Sequence, residues 1–142
     1  MERPPYLSYF IKLLADRQET VFTQNAGPIP VTAPQGRLLM YLESREGAPV
    51  SQRELEHYLG VSHTTVKGLL QRLEEKDLVR TAFDSEDGRV KHAYLTARHA
   101  KMSKEIAKLV GDFEEKLLAG LSAEERETLR GLLERVYANL LP

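Results

Sequence analysis

The sequence predicts a mostly α-helical fold with one small β-hairpin. Apolar residues recur at three- and four-residue spacing over most of the chain, and serine or threonine caps separate the helical stretches. Residues 78–95 instead hold two runs of strand-forming residues around a polar turn. The 142 residues, with 42% apolar and 29% charged side chains, fit one folded domain over residues 1–142.

Two helices are expected in the first third of the chain. Apolar residues between Tyr6 and Phe22 cover more than one stripe, which predicts a helix buried on two sides. The proline-containing stretch 25–30 should end it. A second helix is expected to begin at Thr32 and to end near residues 47–49.

Two closely joined helices follow. Ser51 and Glu54 are spaced as a capping box, and Gly60 supplies a left-handed residue that ends the short helix. Ser62 can cap the next helix, whose apolar stripe runs from Val66 to Leu73. Two helices joined by a three-residue turn with a glycine form a helix-turn-helix pattern.

A β-hairpin is expected directly after this pair. Residues 78–83 are rich in strand formers, residues 84–88 form a polar turn, and residues 90–95 alternate in polarity. A hairpin in this position predicts a winged helix over residues 31–98.

The remaining helices lie at the two ends of the chain. Thr96 can cap a helix with apolar residues from Ile106 to Leu121, and Ser122 opens a second capping box before a last helix. These helices expose more apolar surface than one winged domain can cover. We therefore expect a homodimer, with residues 1–28 and 99–142 as dimerisation helices.

Charge is balanced overall and uneven locally. The chain has 20 Lys and Arg against 21 Asp and Glu, so it is not a wholly basic nucleic-acid coat. Residues 61–73 and 88–100 nevertheless contain basic side chains and no acid. An anionic partner is expected to touch these two segments.

Several functional classes lose support from composition. There is no cysteine, which excludes disulfides, thiolate metal sites and thiol-based redox sensing. No leader-like start and no apolar run of about 18 residues is found, so a cytoplasmic protein without membrane contact is the expectation. Neither a metal-binding His spacing nor a phosphate-binding glycine loop nor a nucleophile elbow is present, and we expect no metal, no cofactor and no catalysis.

The helix-turn-helix and the wing supply candidates for contact with double-stranded DNA. A recognition helix needs short polar side chains at its N-terminal end, where it meets base edges in the major groove. The candidates are Ser51, Gln52, Ser62, His63, Thr64, Thr65, Lys67, Gly68, Gln71, Arg72, Arg89 and Lys91. Taken singly, each of three candidates is better explained by a structural role: Ser62 as an ordinary cap, Thr65 as a helix filler and Gly68 as a packing glycine. Taken together with the turn spacing and the hairpin that follows, the set favours DNA contact.

Arg89 has two interpretations. Beside a turn glycine it can enter a narrow minor groove, where negative potential is concentrated. It can also pair with Asp84 or Asp87 and stiffen the turn. Both can hold together.

These residues resemble the MarR family, the multiple antibiotic resistance regulators of bacteria and archaea. The resemblance covers essentially the whole chain and is sharpest at residues 61–66, at residues 73–80 and in the wing from Asp84 to Arg89, followed by Leu95-Thr96. Glu86 and Gly88 stand where the family often has arginine, and His99 stands where a glycine is common.

The resemblance implies a homodimeric regulator that binds pseudo-palindromic operators, usually as a repressor released by a small aromatic or phenolic anion. We expect an effector pocket between the dimer helices and the winged domain, with Tyr9, Phe10, Met40 and Tyr41 in its wall. The alternative function is a winged-helix protein-interaction module without specific DNA binding, which would suit the neutral charge and the acidic wing.

Overall fold

The computed structural model describes residues 2–142, as six helices and three short strands. The chain forms two compact units, one running to Val110 and the other comprising Gly111–Pro142. The elements are α1 (Leu7–Ala26), α2 (Ala33–Ser44), β1 (Val50–Ser51), α3 (Gln52–Leu59), α4 (His63–Glu75), β2 (Val79–Phe83), β3 (Lys91–Leu95), α5 (Ala97–Leu117) and α6 (Ala123–Ala138). The predicted fold class, mostly helical with a small wing, is confirmed.

The core of the first unit is built from the inner faces of α2, α3 and α4, and the sheet and α5 add to it. Its largest fully buried side chains are Leu38, Leu39, Val50, Leu55, Val66, Leu73, Leu78 and Ile106. Because the buried residues of α4 recur at three- and four-residue spacing, its other side is left to solvent.

Local caps set the helix starts. The capping boxes predicted at Ser51 and Ser122 are both present, and Thr32 forms a third with Gln35. Ser62 caps α4 by accepting from the Thr65 amide at 3.2 Å. Gly60 ends α3 with φ 65° and ψ 33°, as its position predicted. Each cap of this kind stabilises a helix by about 1 kcal/mol.

A buried polar contact joins the end of α4 to the start of α2. Lys76 Nζ donates to Pro30 O and to Gln35 Oε1, both at 2.7 Å. Burial lowers the pKa of Lys76, and the nearby charge of Arg72 lowers it further. Gln35 is 2% exposed, and its Oε1 also accepts from the Thr32 amide, so the same oxygen serves the cap and the lysine.

The sheet has one strand more than the predicted hairpin. Its order is β1-β3-β2 with antiparallel pairing, and Val50 lies opposite Ala93. A two-residue strand has no periodicity of its own to detect, and its pairing partner lies about 40 residues away along the chain. Since β1 continues directly into α3, this pairing fixes the helix start against the wing.

Two helix ends and the burial of one helix differ from the sequence prediction. Helix α2 ends at Ser44 rather than near residues 47–49, and α5 ends at Leu117 although its apolar stripe continues to Leu121. Gly120, with φ 84°, turns the chain before α6. Helix α1, expected to be buried on two sides, buries only Phe22 and Ala26 in the single chain.

The second unit is a helical hairpin. Arg126 of α6 donates to the carbonyls of Leu118 and Leu121 and pairs with Glu115 at 3.3 Å. No residue of α6 is buried, and its large apolar side chains, which are Leu129, Leu132, Leu133, Val136 and Tyr137, are 36–59% exposed. Among residues 2–142, no helix is long and apolar enough to cross a bilayer.

Candidate nucleic-acid interface

Helix α4 presents two polar stripes on the side away from the core. Residues four apart on a helix lie one above the other, so every fourth residue belongs to one stripe. The two stripes are His63, Lys67, Gln71 and Thr64, Gly68, Arg72. All of these are exposed except Gly68, which is half-buried. Both stripes consist of predicted site residues.

Gly68 leaves space on this face. A Cβ built there meets only Arg72 Nη1, at 3.6 Å, which is an ordinary contact. No other described helix or strand packs against the position. The structure therefore gives no packing reason for a glycine at position 68. The open space there would allow the backbone of a bound duplex to approach the helix closely.

The N-terminal end of α4 is held by its own polar groups. Ser62 Oγ accepts from the Thr65 amide and lies 2.9 Å from Thr65 Oγ1. The ordinary-cap interpretation of Ser62 is thus observed. The amides of the first turn and the helix dipole still favour a negative group at this end, such as a phosphate.

Two adjoining grooves join the first stripe to α3 and the wing. The wing groove, about 550 Å³, is lined by Ser51, Gln52, Arg53, Glu56, His63, Arg89, Val90 and Lys91. The helix groove, about 290 Å³, is lined by Gln52, Lys67, Leu70, Gln71, Glu74 and Lys91. Gln52 and Lys91 line both grooves, so seven of the twelve candidates come together, and the other five lie on α4 or at its cap.

The charge of these grooves is positive but not uniformly so. Four cations line them, namely Arg53, Lys67, Arg89 and Lys91. Two carboxylates, Glu56 and Glu74, line them as well. The acid-free segments of the sequence are therefore not an acid-free surface, because α3 and the last turn of α4 bring acids alongside them. This lowers the expected non-specific affinity for DNA.

Sequence reasoning missed Arg53 and Glu56. Both belong to α3, and Glu56 reaches His63 across the turn, with its Oε2 3.4 Å from His63 Nδ1. Leu55 and Leu59 mark the inner side of α3. Gln52 and Glu56 are four residues apart and share another side of the helix, so their spacing could have placed Glu56 beside the candidate Gln52. The contact with α4 depends on the angle between the two helices, which periodicity does not contain.

The wing turn is organised by aspartates. Asp84 Oδ1 accepts from the Glu86 and Asp87 amides at 2.7 and 3.2 Å, and these bonds lower the pKa of Asp84. Arg89 Nε donates to Asp87 Oδ1 at 3.2 Å while its side chain remains 92% exposed. The pairing interpretation of Arg89 holds through Asp87, and the guanidinium is still presented to solvent.

A polar and aromatic clamp holds α3 against α2. Arg45 Nη1 donates to Glu54 Oε2 at 2.7 Å and to Tyr41 Oη at 3.0 Å. These two bonds raise the pKa of Arg45, with the Glu54 bond contributing most. The Tyr41 ring stacks on Tyr58 with centroids 4.1 Å apart. Both ends of α3 are thereby fixed, which orients Gln52 toward α4.

The predicted effector-wall residues do not meet in one cavity of the single chain. Met40 lines an open cavity of about 400 Å³ with Arg37, Tyr58, Leu59 and Val110. Tyr41 lines a different one of about 440 Å³, also beside Tyr58. Tyr9 and Phe10 line neither, and are 53% and 40% exposed on α1.

No candidate metal site accompanies the interface in the part of the chain that the structure describes. Among residues 2–142 no group of three His, Asp or Glu side chains is arranged to hold a metal ion. The buried His99 lies 3.6 Å from Glu43, and its desolvation lowers the pKa, which Glu43 partly opposes. This pair lies outside both grooves.

Comparison with known proteins points to one family. Residues 29–90 match the model of the MarR family. YwoH of Bacillus subtilis, an HTH-type transcriptional regulator, is 37% identical over 84 residues, which is 59% of this chain and 61% of YwoH. The chain spans between 52% and 71% of the length of the curated relatives it matches.

Solved structures agree over nearly the full chain. The Staphylococcus aureus MepR–DNA complex superposes with a TM-score of 0.84 at 25% identity, covering 96% of this chain and 97% of MepR. A MarR variant from E. coli complexed with operator DNA gives a TM-score of 0.80 at 27% identity, covering 92% of each chain. Members of this family are transcriptional regulators rather than enzymes. The winged helix, the match of residues 29–90 to the MarR family model and these structures together show that the chain has the fold of MarR-type winged-helix proteins and is similar to transcriptional regulators of that family.

Proposed function

We propose that this protein is a homodimeric repressor that binds a pseudo-palindromic operator and is released by a small aromatic or phenolic anion. The observation that carries the proposal is the convergence of seven candidate residues on two adjoining grooves beside α4. Polar reading groups and cations occur there together, as a groove-reading surface requires.

In the proposed complex, α4 enters the major groove. His63, Lys67 and Gln71 face base edges, while Thr64 and Arg72 of the neighbouring stripe contact backbone phosphates. Arg89 extends into the flanking minor groove with its direction set by Asp87. In this arrangement, α4 contacts the major groove and its phosphates, and the wing contacts the flanking minor groove.

The proposed dimer is formed through α1, α5 and α6. Large apolar side chains on α1 and α6 are open to solvent in one chain, including Leu7 at 76% and Leu132 at 50%. Surfaces of this kind are rare on soluble monomers, and a second copy of the chain covers them. The two recognition helices would then meet the duplex about 34–36 Å apart.

The cavity beside Met40 is the proposed effector site. Tyr58, Leu59 and Met40 supply apolar walls, and Arg37 supplies a cation that already pairs with Glu19 at 3.0 Å. An aromatic carboxylate matches this combination, because its ring contacts the walls and its charge competes for Arg37. Tyr9 and Phe10 remain proposed wall residues contributed once the dimer forms.

A protein-interaction module remains the second candidate. Glu56 and Glu74 in the grooves and the acidic wing turn favour it, because carboxylates at these places repel phosphates. The two candidates differ in their response to DNA at low salt.

The test is a fluorescence-anisotropy titration with labelled duplex DNA from upstream of the protein's own gene. The repressor proposal predicts tight binding to that duplex, weaker binding to an unrelated duplex, and release by a salicylate-like anion. An absence of binding to either duplex at low salt, where non-specific contact with phosphates is strongest, would support the interaction module instead.

A further inference from the structure

Phe83, the last residue of β2, leaves a large apolar ring on the surface of the hairpin. Its exposed fraction is 63%, whereas the other large apolar residues of the sheet are buried or half-buried, namely Val50, Val79, Tyr94 and Leu95. A single exposed apolar side chain is common on soluble proteins and needs no function by itself. The neighbours of the ring therefore decide whether it has one.

The ring lies on the sheet face that packs against α4. Alternate residues of a strand point to the same face, so Val79, Thr81 and Phe83 lie together. Val79 is buried, and Thr81 Oγ1 donates to Glu74 Oε1 of α4 at 2.7 Å. Phe83 extends this face toward the wing turn, where most of the ring is open to solvent.

The candidate interface begins beside this ring. Lys91 is the partner of Phe83 across the hairpin, and its Nζ lies 5.9 Å from the ring centroid. Lys91 lines both grooves, and Arg89 lines the wing groove. A phosphate oxygen bound to Lys91 would lie about 2.8 Å from Nζ, so the sugar attached to that phosphate comes within reach of the ring.

An aromatic ring and a cation hold a duplex by different forces. Cations neutralise phosphates and release counterions, so their contribution to affinity falls as salt is added. An apolar ring instead contacts the carbon atoms of the sugars and removes apolar surface from water. Apolar side chains are frequent contacts of proteins that bind the minor groove.

We propose that Phe83 packs against a deoxyribose at the edge of the minor groove that Arg89 enters, and that it supplies an apolar part of the affinity for DNA. This inference rests on the proposed function. The ring has no charge, so its contribution adds to that of Lys91 without changing the dependence of affinity on salt. Because sugars carry no base identity, the ring strengthens binding without selecting a sequence.

The first test is a salt series of anisotropy titrations with the upstream duplex. Phe83→Ala is expected to bind about tenfold more weakly than wild type at every salt concentration, with an unchanged slope of log affinity against log salt. Phe83→Leu should keep most of the affinity, because leucine is still a large apolar side chain.

Two cations of the hairpin calibrate the slope. Lys91→Ala should reduce it by about 1, as the loss of one phosphate contact does. The matched control is Arg80→Ala, since Arg80 lies on the opposite face of the same hairpin, outside both grooves, and its loss should leave the slope unchanged.

The second test uses the absence of tryptophan from the sequence. Phe83→Trp introduces a single indole, and adding the upstream duplex should lower the quenching of its fluorescence by acrylamide, because the sugar covers the ring. Tyr94→Trp is the matched control. Tyr94 pairs with Arg80 on the opposite face of the hairpin, so its quenching should not change when the duplex is added.

Three results would overturn the proposal: Phe83→Ala binding as tightly as wild type, Phe83→Ala lowering the salt slope as Lys91→Ala does, or unchanged quenching of Phe83→Trp in the complex. Circular dichroism should show the wild-type fold for Phe83→Ala, since the ring is mostly exposed, and the quenching test decides without that variant. A wild-type protein that binds no duplex at low salt would refute the proposed function and this inference with it. Normal wild-type binding together with any of the three results refutes only the Phe83 contact.

Discussion

Gly68→Ala separates the stability of α4 from its contact with DNA. The new methyl group would meet only Arg72 Nη1, at 3.6 Å, so the folded chain accepts it without rearrangement. Alanine in place of a helix-interior glycine stabilises the helix by about 1 kcal/mol. For a chain of this size, that corresponds to a rise of roughly 3–5 °C in the thermal midpoint.

Operator affinity should change in the opposite direction. If the duplex approaches the backbone at Gly68, the methyl group occupies the contact, and we expect the affinity to fall about tenfold, or ~1.4 kcal/mol. Thermal unfolding followed by circular dichroism gives the first quantity, and anisotropy with the upstream duplex gives the second.

The control is Gly111→Ala. Gly111 is also inside a helix, and a Cβ there meets nothing within 4 Å, but the residue lies outside the candidate interface. It should raise the thermal midpoint by a similar amount and leave operator affinity unchanged, with light scattering used to check that the proposed dimer contact through α5 is kept. Gly68→Ala with higher stability and undiminished affinity would refute the close-approach interpretation, and a lower midpoint would refute the open geometry at this position.

Four further outcomes are expected. Arg89→Ala should weaken operator binding and reduce the slope of log affinity against log salt by about 1, whereas Arg89→Lys should keep the slope; equal slopes in all three proteins would exclude a phosphate or groove contact. Ser51→Ala should lower the free energy of unfolding by about 1 kcal/mol in urea denaturation, because α3 loses its cap; an unchanged midpoint would contradict the cap's contribution. Leu132→Asp should convert the proposed dimer to monomer in light scattering and abolish specific binding, and a persistent dimer would place the interface elsewhere. Burial lowers the pKa of His99 below its unfolded value of 6.5, so the unfolded state binds more protons than the folded state as the pH falls. The stability of the wild-type protein should therefore fall as the pH drops below about 6.5. His99→Gln should flatten that fall, and an identical pH dependence in both proteins would contradict the assignment.

Local signals made much of the fold predictable. A serine or threonine followed three residues later by Glu or Gln marks Thr32, Ser51 and Ser122, and each cap depends only on residues within one turn. Gly60 is equally local, since the left-handed conformation belongs to one residue. These positions were predicted because sequence neighbours determine them.

Non-local contacts were not predictable in the same way. Strand β1 exists through pairing with His92 and Ala93, and no pattern in two residues reveals it. Helix α5 ends at Leu117, but Leu118 and Leu121 continue its apolar spacing into the turn before α6. The pattern of apolar residues therefore did not show where the helix ends. Periodicity detects which residues are apolar but not which element buries them.

The candidate interface shows the same division. The polar stripes of α4 follow from the spacing of Val66, Leu69 and Leu73, so its candidates could be found from sequence. The contact between His63 and Glu56 could not, because it depends on how α3 crosses α4. The charge that faces a ligand therefore depends on which helices and strands pack together, and a short stretch of sequence does not show this.

Hydroxyl-radical footprinting on the DNA upstream of the protein's own gene tests the central claim most directly. A dimer with α4 in the major groove predicts two protected patches about 34–36 Å apart, with a flanking minor-groove patch that disappears in Arg89→Ala. Uniform cleavage at low salt, with the dimer intact in solution, would contradict the account.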